Sequence, residues 1–435
     1  MKSSILVACG AAVTLAAGAC ATSVDEEATA PEPKSEVQVP DAAAPVVEAG
    51  AEASADGPMC SDAGWCETQL PDVDLAMVDL WPLPGRAFAI AQSPTIGIKI
   101  LEWNDEDAQW RYIDDATQNA VDVGTFAGRI WAPNADEVYF GVGPGYVYRG
   151  TRPVAPATAW SWTRRQLVDN GKAGSQPNPI HAQAGGRRYP ALGVWGTSSS
   201  DVYAWFKNTV FRLKSTGSGV AEWIPEYVAD DPATDPEPDA GGVALTDDLY
   251  FVSAAGTSPD DLWFSGARTQ SGGACALVVR KTAAGYRRVA DGIASADGCA
   301  SKAGALMIGG AEGWLTDLHA VGPGRLVGLK GARDPVKLSV DGEGYSVEIR
   351  PIEASSLGLS SPLFTSLWAD SSSLWLTTTR VVLRGADVWT GGEYAISTLA
   401  LKGAPVGRDL AQVRGTTINN LWAIGDRYAF HKTSP

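Results

Sequence analysis

Positive charge is in short supply: 34 Lys and Arg stand against 50 Asp and Glu, a formal charge of −16. Phosphates would be repelled, which excludes nucleic acid as a partner and any nonspecific grip on an anionic membrane. Histidine is scarcer still, with His181, His319 and His431 scattered through 435 residues. With no C-x-x-C spacing either, a zinc site is disfavoured, and no metal or other cofactor is expected. Nor does the chain contain a G-x-S-x-G elbow, an H-E-x-x-H helix, a P-loop or an EF-hand loop. Beyond the N-terminus no apolar run is long enough to span a bilayer. What remains is a chain with 48 Gly, 27 Pro and 16 Trp, 45% hydrophobic and 19% charged, which suits a globular body rather than a fibre or a disordered chain.

The N-terminus reads as an address. Lys2 precedes an apolar run from Ile5 to Ala17 and then the small residues Ala17-Gly18-Ala19 before Cys20. This is a secretory signal over residues 1–19. Small residues immediately before a Cys resemble a bacterial lipobox, with Ala17 where Leu is usual, and the resemblance implies acylation of Cys20. The alternative is plain cleavage at an A-x-A site. From Ala21 to Gly57 nine acidic residues face Lys34 alone, and there is no aromatic residue. Such a segment cannot bury enough apolar surface to offset its ordering entropy, so residues 20–58 read as a disordered acidic tether. A lipid anchor would be the sole attachment to a membrane, and the expected location is the bacterial cell envelope, at the outer membrane or cell surface.

Export suits the cysteines. Apart from Cys9 and Cys20 there are four, Cys60, Cys66, Cys275 and Cys299. Four cysteines allow three pairings, and short loop closure favours Cys60 with Cys66 and Cys275 with Cys299.

Residues 59–435 carry an internal repeat. Ile130-Trp131-Ala132-Pro133-Asn134-Ala135-Asp136-Glu137-Val138-Tyr139 returns as Val194-Trp195-Gly196-Thr197-Ser198-Ser199-Ser200-Asp201-Val202-Tyr203. Further copies run over Gly256–Trp263, Leu367–Trp375 and Gly415–Trp422, and degenerate ones begin at Leu80 and Leu318. Each copy is an apolar strand, a Ser/Thr/Pro/Asn/Asp turn and a second strand. A third strand follows, as in Val210-Phe211-Arg212-Leu213, and then an aromatic fourth, as in Glu222-Trp223-Ile224. Seven units of four antiparallel strands predict an all-β, seven-bladed β-propeller. The last unit has three strands, whereas Trp65–Leu70 is an orphan strand of the fourth type, so the N-terminal strand is expected to close the ring.

The pattern V-W-G-x4-D-V-Y/W with a third strand ending in Arg or Lys resembles the repeat of exported bacterial seven-bladed propellers common among myxobacterial lipoproteins. The resemblance covers nearly everything after Trp65 and implies the fold; it implies no activity.

Catalytic signals are weak. Ser339-Val340-Asp341-Gly342-Glu343 approaches the S-x-D-x-G box of sialic-acid-cutting propellers but has Glu343 where Gly belongs. His319 and His431 fall in strands and read as core. The innermost strands read as mostly Trp, Gly and apolar, and most Trp occupy repeat positions between blades. The favoured function is therefore a monomeric, non-catalytic recognition module for a protein or glycan partner at the envelope; a polysaccharide hydrolase or lyase is the alternative. Long insertions precede the first strands of blades 3, 4 and 5, at 164–192, 225–248 and 291–317, and must emerge on one face. They carry the candidate partner-binding residues Arg187, Arg188, Tyr189, Asp230, Asp231 and Asp235. The run from Asp230 to Asp239 could collect Ca²⁺, but its prolines and its lack of D-x-D-x-D-G order favour a solvated loop.

Overall fold

The computed structural model describes residues 59–434 apart from 121–122, 125, 171–180, 185–186, 216, 218–219, 231–247, 271–272, 296, 310–312, 361, 401–403 and 405. Cys20, the tether, Asp231 and Asp235 lie outside the described residues. Seven four-stranded antiparallel sheets form the propeller. The innermost strands are Ala76–Leu83, Ala127–Asn134, Leu192–Ser198, Asp248–Ser258, Leu315–Gly322, Ser366–Ala369 and Leu410–Thr417, and each packs beside the next around a closed ring. Second strands such as Asp201–Phe206 are buried along their whole length, because each sheet is covered by a neighbouring blade on both faces. Trp131, Trp205, Trp263, Trp375 and Trp422 fill the spaces between blades. Among the described residues, no helix is long and apolar enough to cross a membrane.

The repeated string has a physical cause. At Gly196, Gly256 and Gly415 the inner strand bulges before the turn. A side chain there would come within 2.5 Å of Asp201 O, 2.4 Å of Asp261 O and 2.8 Å of Asn420 O respectively, so only glycine admits the turn. The residue after the glycine ties down the start of the second strand. Thr197 Oγ1 donates to Asp201 at 2.7 Å, Thr257 Oγ1 to Asp261 at 2.8 Å, and Asn420 Nδ2 to Thr416 Oγ1 at 2.9 Å. Each carboxylate then collects the aromatic two residues on and the arginine of the third strand. Asp201 accepts from Tyr203 OH at 2.9 Å and Arg212 Nη2 at 3.0 Å. Asp261 accepts from Trp263 Nε1 at 2.9 Å and Arg280 Nε at 3.0 Å. Glu137 accepts from Tyr139 OH and Arg149 Nε, both at 2.6 Å. In blade 7 Asn420 and His431 replace the pair, with a 3.0 Å hydrogen bond between them and the imidazole stacked on Trp422 at 4.0 Å. His431 is core, as its strand position implies.

Ring closure follows the sequence expectation, with a shorter strand. Trp65–Glu67 pairs antiparallel with Tyr428–Lys432 as the fourth strand of blade 7. Pairing stops at Glu67, and Thr68 continues it through its backbone N–H and hydroxyl, both donating to Ala429 O at 2.8 Å. Trp65 is fully buried and donates through Nε1 to Ser397 Oγ of blade 6 at 2.9 Å. Both disulfides form in the expected pairing. Cys60–Cys66 clips the closing strand to the residues before it. Cys275–Cys299 ties the third strand of blade 4 to a hairpin, Gly292–Ser295 with Gly298–Ser301, inside the insertion before blade 5. Gly292 makes room for it, since a Cβ there would lie 2.4 Å from Cys299 Sγ. The same insertion is rooted by Asp291, which is buried and accepts from Arg268 Nε, Arg288 Nη1 and Lys302 Nζ at 2.9, 3.1 and 3.0 Å.

Candidate functional site at the central channel

The innermost strands carry more than Trp, Gly and apolar residues, contrary to the reading from sequence. Bulges early in five of them, between Met77 and Asp79, Ala127 and Ile130, Phe251 and Ser253, Leu315 and Asp317, and Leu410 and Gln412, break the ladder beside a polar residue. Bulges re-aim side chains. Here they bring Asp79, Arg129, Asp317 and Gln412, with Arg414, into a polar girdle around the channel.

The girdle stitches blades together. Asp79 of blade 1 accepts from Ile130 N–H of blade 2 at 2.8 Å, from Arg129 Nη1 at 3.3 Å and from Gln412 Nε2 of blade 7. Gln412 Oε1 in turn accepts from Leu80 N–H at 2.9 Å. Asp317 of blade 5 accepts from Leu367 N–H and Ser366 Oγ of blade 6 at 3.0 and 2.7 Å, and from Arg414 Nη1 and Nη2 of blade 7 at 2.9 and 2.8 Å. Burial alone would raise the Asp317 carboxyl, but the guanidinium groups of Arg414 and Arg129 and the hydrogen bonds outweigh it and hold it at about 2. His319, two residues on, sits deep in the channel mouth rather than in the inter-blade core. Its burial, helped by Arg414, depresses the imidazole to about 4 and leaves it neutral. Both shifts move a group away from the poise a general acid or base needs near pH 7.

The channel opens at two mouths on either side of this girdle, with Asp79 and Arg129 reaching both. On the face of the short turns, a cavity of about 180 Å³ is walled by aromatic residues including Trp81, Trp195 and Trp368. On the insertion face, a cavity of about 360 Å³ is walled by Arg187, Arg188 and the ends of the strands of blades 6 and 7.

Of the six candidate partner-binding residues, Arg187, Arg188 and Tyr189 lie on a hairpin, His181–Ala184 with Arg187–Pro190, that precedes blade 3. The hairpin reaches across the channel. Arg187 Nη1 donates to Leu410 O of blade 7 at 3.2 Å, and Tyr189 is buried edge-on against Trp314 at 5.5 Å. Arg187 is half-buried and Arg188 is exposed, so Arg188 alone of the three points its charge to solvent. Asp230 is exposed, and its carbonyl accepts from Arg288 Nη2 of blade 4 at 2.9 Å. Among the described residues no group of three or more His, Cys, Asp or Glu is placed to hold a metal.

The girdle does not show in the repeat because the blades that build it contribute Asp, Arg or Gln rather than one recurring residue type. One signal was available: a single charge interrupts an otherwise apolar strand in Val78-Asp79-Leu80, Gly128-Arg129-Ile130 and Thr316-Asp317-Leu318.

No protein-family model matches the chain, and no curated protein does. Among solved structures the chain is similar to YCF48 bound to a D1 peptide, with 11% identity and a TM-score of 0.53 over 87% of this chain and 98% of that one. It is also similar to the WD40 repeats of RRP9, with 9% identity and a TM-score of 0.52 over 87% and 99%. Likeness at these identities establishes the propeller architecture and nothing finer.

Proposed function

We propose that the chain is a non-catalytic recognition module of the bacterial cell envelope, anchored through a lipid on Cys20 and binding a partner on its insertion face. What carries this reading is the state of the channel carboxylates. Asp79 and Asp317 are each committed to hydrogen bonds that hold neighbouring blades together, which leaves no poised acid–base pair among the described residues where a propeller enzyme would need one. The insertion face, by contrast, displays Arg188, Arg408 and Asp409 on its rim, a mixed-charge surface on a rigid ring. The two disulfides suit an oxidising compartment. A propeller of the same architecture, YCF48, is found with a peptide bound, so the scaffold can carry one.

The test is a glycan array and an envelope-protein interaction screen run beside an activity screen on the same polysaccharides. A partner whose binding is lost in Arg188→Glu, with no turnover of any polysaccharide, is the expected result. Depolymerisation of a polysaccharide would replace this reading with the hydrolase or lyase. In parallel, Cys20→Ala is expected to move the protein from the membrane to the soluble fraction; retention in the membrane would remove the anchor from the proposal.

A further inference from the structure

The turn-face mouth of the channel is built differently from the insertion face, and the reading above makes no use of it. Its walls are aromatic: Trp81 and Trp195 are half-exposed, and His319 lies 5.8 Å from Trp368. Trp368 is fixed by its own Nε1, which donates to Gly415 O at 2.7 Å, so that its ring stands as a rigid wall. The floor supplies hydrogen-bond donors. Arg129 makes one hydrogen bond, at 3.3 Å to Asp79, which leaves most of its five N–H groups unengaged among the described residues. Trp205 lines the same cavity, is 1% exposed, and its Nε1 is buried with no hydrogen-bond partner. Gly193 makes this packing possible, because a Cβ there would lie 2.2 Å from the Trp205 ring and 2.8 Å from Arg129 Cβ. A buried donor without an acceptor costs roughly 1–3 kcal/mol. The unpartnered Trp205 indole N–H is one such donor, and the partly exposed Arg129 guanidinium lining the same cavity has N–H groups to spare, which a ligand carrying an acceptor group would satisfy.

The floor also selects the charge. Aromatic walls by themselves suit a quaternary ammonium as well as a ring. Arg129 and Arg414 both line the cavity against Asp79 alone, so its lining carries an excess positive charge that repels a cation and attracts a carboxylate, while the acceptors of Asp79 are engaged by Ile130, Arg129 and Gln412. Flat indole faces pack against the C–H faces of a pyranose, with the ring quadrupole favouring the slightly positive hydrogens.

From this geometry we infer that the turn-face mouth is a binding site for an acidic sugar, with the pyranose ring between Trp81, Trp195 and Trp368 and its carboxylate on Arg129 and the Trp205 indole. The site lies on the opposite face from Arg188. Its success or failure is therefore read separately from that of the insertion-face partner.

The experiment is a titration of the purified protein with glucuronate, glucose and acetate, followed by intrinsic tryptophan fluorescence and calorimetry. The expected result is saturable binding of glucuronate, at least tenfold weaker binding of glucose, which lacks the carboxylate, and at least tenfold weaker binding of acetate, which lacks the ring. Arg129→Gln is expected to abolish the preference for glucuronate over glucose. Because that variant also disturbs the girdle, Trp195→Ala provides a wall substitution expected to weaken glucuronate at least tenfold in a protein that still melts cooperatively, at a lower temperature because Trp195 also packs against the core on both sides of blade 3. Equal binding of glucose or acetate, unchanged affinity in Trp195→Ala, or no glucuronate binding at tens of millimolar would each overturn the inference.

Discussion

Asp201 and Asp317 are both almost fully buried, and each holds an arginine, yet they hold different parts of the molecule together. The described hydrogen-bond partners of the Asp201 carboxylate, Thr197, Tyr203 and Arg212, belong to its own blade. Asp317 accepts from Leu318 N–H of its own blade at 3.0 Å and takes its other partners from blades 6 and 7. Asp201 finishes a local unit and Asp317 joins units that are far apart in sequence, with Asp261 of blade 4 between the two, since it also accepts from Gly324 N–H of blade 5 at 2.8 Å. That difference separates what repeats from what does not. A bond within one blade can be encoded by the same short string seven times, whereas a bond across blades needs complementary residues at different places in the chain. It also predicts where damage spreads: rim lesions should stay local, and lesions between blades should loosen the ring.

The strongest way to break the comparison is to remove an inter-blade connection altogether. Deleting residues 59–71 takes away the fourth strand of blade 7, the Cys60–Cys66 clip and the Trp65–Ser397 hydrogen bond to blade 6. The exposed strand Tyr428–Lys432 then becomes a free edge available to other chains. The expected outcome is aggregation or a broad, non-cooperative thermal transition. A deletion variant that melts as sharply as the full chain, at the same temperature, would show that closure contributes little.

Next in size is Asp317→Asn. The substitution leaves the Arg414 guanidinium, with a side chain 14% exposed, without its counter-charge in the channel. Removing one partner of a buried, hydrogen-bonded pair costs about 3–5 kcal/mol. Urea denaturation should show a loss of that size with an unchanged slope, and a loss below about 1 kcal/mol would reduce the girdle to the standing of a surface pair.

These differences also explain what was legible in the sequence. The propeller, its seven units, its closing strand and both disulfides could be read from residues 59–435 because glycine, threonine, acid, aromatic and arginine return at the same spacing. The girdle could not, since Asp79, Arg129, Asp317 and Gln412 do not repeat one residue type from blade to blade, and the bulges that bring them to the channel leave no composition of their own. The hairpin is an intermediate case. Its insertion was visible as length, but its fold back over the channel, which buries Tyr189 and half-buries Arg187, depends on Trp314 and Leu410 more than 100 residues away.

Acid offers a third test, smaller for each group, because each region holds one histidine drawn out of water, half-buried His319 and buried His431. Burial depresses His319 in the channel to about 4, and burial opposed by Asp105 depresses His431 on the rim to about 4. Unfolding frees both to an ordinary value near 6.5, so the unfolded state binds more protons between pH 6.5 and 4. Their contribution is therefore present above about pH 6.5 and is lost as pH falls towards 4, by roughly 2–3 kcal/mol for each. The carboxylate of Asp317, held at about 2, adds its own loss only below about pH 4. Denaturation at pH 7 and pH 4.5 should show this fall, and His431→Gln should flatten about half of it. A slope unchanged by His431→Gln would place the acid sensitivity elsewhere.

The smallest effect is expected at Asp201→Asn, and it sharpens the comparison most directly. Thr197 and Tyr203 bond different oxygens of Asp201, so asparagine keeps its one oxygen for Tyr203 and turns its amide N–H toward the Thr197 hydroxyl, which can accept, and the turn and the start of the second strand stay tied. Arg212 loses a carboxylate, but its side chain is 31% exposed and Glu226 Oε1 remains 3.7 Å from it. Water and Glu226 can solvate the guanidinium, so the charge is never left alone in the way Arg414 is. An ion pair open to solvent to this degree contributes about 1 kcal/mol or less. A double-mutant cycle of Asp201→Asn with Arg212→Gln should accordingly give a coupling below about 1 kcal/mol, reduced further in high salt. If Asp201→Asn destabilised the protein as much as Asp317→Asn, a bond confined to one blade would matter as much as one between blades, and the distinction between rim and channel would fail.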